Sequence, residues 1–198
     1  MNTTETGRTA VRHDQCEPCA FQESGHVLFA YLSGYSCLQT ELVGEQGDYS
    51  AYSIIDYGRD TRLATLLLND DHHPWGLNNG KPAEKLELAE ACRRLSKIYA
   101  GGSVTLAVFR NGGDARVPLP LQMEYSDLKN LEKLRNLMGI LSPSTDDQFM
   151  DEALQDALYT LTNGNVWDTV SDLASRLLQS GQLNRNDIEE CLDEHGLL

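Results

Sequence analysis

The sequence predicts a mainly α domain with a small β-hairpin after its first helix and a helical hairpin at its C-terminal end. Apolar residues recur at three- and four-residue steps over most of the chain. Two β-leaning runs are confined to one window, residues 36–57. Glycine or proline punctuates the pattern at Gly34, Gly101-Gly102, Ser142-Pro143, Gly164 and Gly181. A chain of 198 residues, 40% apolar and 23% charged, is globular in composition and long enough to bury a sizeable core. The expected division is a loose terminus over residues 1–15 and a single domain over 16–198, with 143–198 as its acidic helical part.

The first helix is expected to open at Pro18, which suits a first turn because its missing N–H costs nothing there, and to stop before Gly34. Phe21, Gly25, Leu28, Phe29 and Leu32 mark one buried side. The runs CLQTELV and YSAYSIIDY around GEQGD give the hairpin. Residues 60–68 suggest a short helix with Leu63, Leu66 and Leu67 inward, followed by the polar loop NDDHHPWGLNNGKP. Residues 81–100 form the clearest amphipathic helix, with Leu88, Cys92, Leu95 and Tyr99 as its stripe and Gly101-Gly102 as its end. A further short helical run, 103–109, precedes a Gly/Pro-rich connection.

Residues 124–141 are helical again, with Leu128, Leu131, Leu134, Met138 and Leu141 inward and Asp127 in the first turn, where the helix dipole favours a carboxylate. Three more helices follow at 146–162, 166–179 and 184–194, with Thr145 and Asn184 as candidate N-caps. Trp167, Val170, Leu173, Ala174, Leu177 and Leu178 supply the stripe of the second of them.

Chemistry concentrates in the first helix. Gln22 and His26 are four apart and share a side, with Glu23 beside them. That is one residue short of HExxH, in which two His grip Zn²⁺ and the Glu serves as general base for the attacking water. Gln22 stands where the first His should be, and an amide oxygen is a poor donor for zinc. Gln22 itself, Cys19, seven residues before His26, and His72 or His73 in the polar loop are the residues that could supply the missing ligand. The plainer reading of that loop is an exposed polar segment, a poor rigid support for a ligand.

The formal net charge is −14, and 143–198 carries 12 Asp and Glu against Arg176 and Arg185, a net −10. Such a field makes nucleic acid and anionic membrane surfaces poor partners. No apolar run approaches the roughly 20 residues of a transmembrane helix, and the polar opening MNTTETGRTAVRHD is unlike a signal peptide. Five scattered cysteines without a secretory signal point to reduced thiols in the cytoplasm, with Cys16 and Cys19 read as ordinary thiols, not half a zinc knuckle.

Several segments, in order, resemble the peptidase domain of the FtsH-type ATP-dependent zinc metalloproteases. QESGHVLFAYLSG is similar to that family's HEAGH-type helix, and YAGGSVTLAVF at 99–109 to its GGRAAEELVF stretch. SDLKNLEKL at 126–134 resembles its NDLxxAT segment, and VWDTVSDLASRLLQSGQLNRNDIEECL its last helical pair. The resemblance implies a helical metallopeptidase-like fold, Glu23 at the general-base position, and His26 and Asp127 as metal ligands. Gln22 occupies the degenerate ligand position, and Ser103 and Leu106 replace charged residues of the family pattern. No GxxxxGK[ST] phosphate loop occurs, so an unfoldase would act in trans or the substrates would be flexible peptides.

The expected function is that of a catalytically inactive relative, a binding or regulatory module with no resident cofactor that holds a protein or an extended peptide. The alternative is an active zinc metallopeptidase with a substitute ligand. FtsH-type peptidase domains form rings, which leaves a homo-oligomer open.

Overall fold

Four consecutive residues, Val27 to Ala30, are each at most 2% exposed, so the helix that carries them is covered on nearly every side. In the computed structural model, which describes residues 13–45, 48–68, 82–119, 121–142 and 148–198, this helix is α1 (His13–Leu32). It packs against the two long strands β1 (Ser36–Glu45) and β2 (Asp48–Asp56), against α3 (Pro82–Arg110) and against α6 (Val166–Ser180). The expectation of one buried side was too narrow, because a helix enclosed by four neighbours has little free face. Leu32, expected inward, is 45% exposed where the helix runs out of partners.

Helix α1 also starts earlier than expected. It is helical from His13, inside the segment expected to be loose, and passes through Pro18. Proline forfeits one backbone bond in a helix interior, but burial of Cys16 and Ala20 on either side of it anchors this part of the helix. The other end behaves as the sequence predicts. Gly34 takes φ +81°, and the N–H groups of Gly34 and Tyr35 close back onto the carbonyls of Tyr31 and Ala30, a left-handed stop.

β1 and β2 form the predicted antiparallel hairpin, with an irregularity between Cys37 and Gln39. A third strand, β3 (Gln182–Asn184), pairs antiparallel with Gln39, Thr40 and Glu41, so the order is β2-β1-β3. Three residues are too few for a periodic signal, which is why the sequence shows only a helix break there. After β2, a 3₁₀ turn (Gly58–Asp60) leads into α2 (Thr61–Leu68), where Leu63 is buried; the side chains of Leu66 and Leu67 lie outside the described residues. Asp60 accepts from Tyr35 Oη at 2.6 Å and from Arg94 of α3 at 2.6 and 3.1 Å, tying this turn to the long helix.

Gly101-Gly102 does not end a helix. α3 is one 29-residue helix that includes both glycines and the run at 103–109. The residues that would break a solvated helix are here the contact surface. A Cβ on Gly101 would overlap the Phe29 ring, and one on Gly102 would overlap the His26 ring. Gly25 of α1 faces the same crossing, where a Cβ would lie 2.5 Å from Thr105 Oγ1. Close approach of the two helices holds the glycines helical despite their low propensity.

α4 (Tyr125–Leu141) buries Leu131, Leu134, Leu137 and Met138. α5 (Phe149–Leu161) and α6 complete the core, and α7 (Arg185–Glu194) closes the chain. The N-cap of α7 is Asn184, as predicted. Its side chain accepts from the N–H groups of Asn186 and Asp187, while Asp187 accepts from the Asn184 N–H at 2.9 Å. Thr145 lies outside the described residues. Gly164 and Gly181 sit at the breaks with φ of +58° and +78°. No helix among the described residues is long and apolar enough to cross a membrane.

The glycine crossing yields a test of sign. Gly→Ala in an open helix stabilises by ~1 kcal/mol. Gly102→Ala is expected instead to destabilise by ~1–3 kcal/mol, because the His26 ring has nowhere to move without disturbing packed neighbours. A urea unfolding midpoint that is unchanged or raised would contradict the close crossing.

Candidate functional site

Three helices bring the sequence-predicted residues together. α1 contributes Gln22, Glu23 and His26; α3 contributes Ser103; α4 contributes Asp127 from its first turn. Asp127 is 2% exposed and Glu23 7%, so these carboxylates need partners. Each has them. His26 Nε2 lies 3.2 Å from the Asp127 carboxylate, and Nδ1 lies 3.3 Å from Glu23 Oε2. Ser103 Oγ donates to Asp127 Oδ2 at 2.8 Å, and the Gln22 amide Nε2 donates to the same oxygen at 3.0 Å.

The glycine crossing of α1 and α3 sets this geometry. Because Gly102 has no side chain, the His26 ring lies directly over its backbone, within reach of Ser103 one residue on and of Asp127 on α4. Tyr99, one turn earlier on α3, stands edge-on to the imidazole with ring centroids 6.5 Å apart. Ser103 and Tyr99 are the members of this cluster that sequence reasoning did not place. Ser103 stood out as a departure from a family pattern, and its role as a donor to Asp127 needed the helix crossing to become visible.

Electrostatics makes the cluster an ion pair. Burial acts to lower the His26 pKa, but the charges and hydrogen bonds of Asp127 and Glu23 outweigh it and hold the imidazole well above its usual range. Asp127 runs the other way. Its burial favours the neutral acid, yet His26, with hydrogen bonds from His26, Ser103 and Gln22, keeps it below the ordinary carboxylate range. A doubly protonated ring donates from both nitrogens at once, which suits a carboxylate on either side.

These residues do not fit a zinc ion well. Zinc needs three protein donors in its catalytic form. His26 Nε2 and Asp127 offer two, while the third corner holds the NH₂ of Gln22 directed at Asp127. Glu23 faces the far nitrogen of the same ring. Cys19 does not fill the gap: its thiol donates to the Tyr49 carbonyl of β2 at 3.2 Å, and burial, then Glu124 and Glu23, raise its pKa. Cys16 is buried and likewise a free thiol. His72 and His73 lie outside the described residues.

The chain matches no protein-family model, and no curated protein matches it by sequence.

The ion pair predicts a pH signature. His26 binds its proton more tightly folded than unfolded, so its contribution is complete below about 6.5 and fades as pH rises through the raised folded value. Asp127 contributes above its ordinary value near 3.8, and that share is lost as pH falls through the lowered folded value. Breaking a buried pair costs ~3–5 kcal/mol. The stability gap between wild type and His26→Gln should therefore be flat in mildly acid solution and narrow on the alkaline side. Urea melts across that range, with the imidazole resonance followed by NMR, read this out; a gap that widens with rising pH would contradict it.

Proposed function

We propose that this chain is an FtsH peptidase-like, non-cutting relative that acts as a binding or regulatory module for a protein or extended peptide. The observation that carries this reading is the Gln22 amide donating to Asp127, where a metallopeptidase needs a third ligand atom pointing at a cation. Without a metal, Glu23 has no polarised water to deprotonate and a tetrahedral oxyanion has no Lewis acid to stabilise it. The positive charge between Glu23 and Asp127 is supplied by the His26 proton.

The sheet supports the binding half of the proposal. β2 has β1 on one side and no other strand among the described residues on its other side, and it packs against α1. The Cys19–Tyr49 hydrogen bond ties the start of β2 to the helix that carries Gln22 and Glu23. An extended peptide can add to such an edge through backbone hydrogen bonds alone. Tyr52 and Ile54, both exposed, alternate along the strand and would give side-chain preference.

Gln22→His tests the reading. Adding the imidazole should create a metal site that depends on His26 and Asp127, with Zn²⁺ affinity rising by well over the ~10–100-fold attached to a mere supporting residue. In the wild type, zinc content should be indifferent to His26→Ala, and unstructured peptides should remain uncut in long incubations. Peptide hydrolysis by wild type that Glu23→Gln abolishes would instead establish the working metallopeptidase with a substitute ligand.

A further inference from the structure

We propose that Asp172, Cys191 and His195 form a second, independent site that binds one borderline divalent transition metal, Zn²⁺ by preference, and clamps α7 onto α6. The three ligand atoms all lie within 4.8 Å of one another, and among the described residues no other set of three or more His, Cys, Asp or Glu does so. Cys191 and His195 are four apart at the end of α7, so helical spacing places both on one face. Asp172 reaches them from α6.

The distances suit an ion. Cys191 Sγ and His195 Nε2 each lie 3.4 Å from Asp172 Oδ2. Donors at the usual ~2.0–2.3 Å from tetrahedral zinc are separated by about 3.3–3.8 Å along each edge. His26 and Asp127 make one edge of similar length, but their third corner is an amide N–H. At the C-terminal site the third corner is a thiol, and thiolate, imidazole and carboxylate together are the mixed set that selects zinc-like ions.

Cys191 is fully buried, while the side chains of Asp172 and His195 are 33% and 23% exposed, so an ion can enter from one side and keep a water as fourth ligand. Arg176 donates to the same Asp172 Oδ2 at 3.0 Å and also pairs with Glu194, so it fixes the carboxylate at the oxygen that faces Cys191 and His195. The Asn165 amide donates to the His195 carbonyl and fixes the backbone that carries the imidazole. On metal entry the Cys191 S–H, now donated to Asp172, gives its proton to solvent. Two carboxylates and a thiolate are then balanced by Arg176 and the dication. A ten-residue helix is marginal on its own, so a metal clamp at its last turn has a structural use.

The test titrates untagged full-length protein with Co²⁺, followed by Zn²⁺. One Co²⁺ per chain is expected, with a thiolate-to-cobalt charge-transfer band that Zn²⁺ removes. Cys191→Ser should abolish the band. Because Cys191 is buried and that variant could fail to fold, His195→Asn and Asp172→Asn are the deciding variants. Each should weaken Co²⁺ binding at least ~10-fold, and Zn²⁺ should raise the melting temperature of wild type but not of these two. His26→Gln should leave the titration unchanged, which separates this site from the His26 cluster. No saturable band in wild type, or a band that His195→Asn and Asp172→Asn leave intact, would overturn the proposal.

Discussion

A buried imidazole with a carboxylate against each nitrogen governs the centre of this molecule. Asp127 and Glu23 are both shielded from water, and two unpaired anions there would be prohibitively costly. His26 resolves the conflict as an imidazolium that donates one N–H to each carboxylate. That ring fits only because α3 offers the backbone of Gly102 where any other residue would place a side chain. The crossing of α1 and α3, the position of Ser103 and the burial of Asp127 all follow from this contact.

The His26 cluster and the C-terminal cluster answer the same electrostatic problem with different donor sets. In the first, Gln22, Ser103 and His26 are donors arranged around Asp127, so positive charge is best supplied as a proton. Between α6 and α7, a thiol, an imidazole and the Arg176 guanidinium converge on one carboxylate oxygen. With its N–H groups directed at the carboxylate, the Gln22 amide does not turn its oxygen's lone pairs toward that point. A thiol becomes a metal ligand once its proton leaves.

Much of the fold was legible in the sequence. Helix stripes such as Leu131, Leu134 and Met138 are buried as read, because the three- and four-residue period is a direct consequence of helix geometry. Gly34, Gly164 and Gly181 fall at breaks, and Asn184 caps α7, because turn and cap chemistry is local. The errors share a cause. Gly101-Gly102 and Pro18 are breakers by propensity, and tertiary packing overrode both, in one case by the rings of Phe29 and His26, in the other by burial of Cys16 and Ala20. β3 went unseen because three residues carry no period.

The sequence by itself determined that Gln22, Glu23 and His26 share one helix side and that Asp127 opens another helix, since both statements rest on spacing along a single chain segment. Only the tertiary structure decided what those residues do to one another. Which nitrogen of His26 meets which carboxylate, and whether Gln22 turns an oxygen or an N–H inward, depend on distances between elements more than 100 residues apart. The same holds for Asp172, which is 19 residues from Cys191 and becomes its neighbour only when the chain doubles back through β3. Local rules fix which side of a helix a residue occupies; packing alone fixes what it faces.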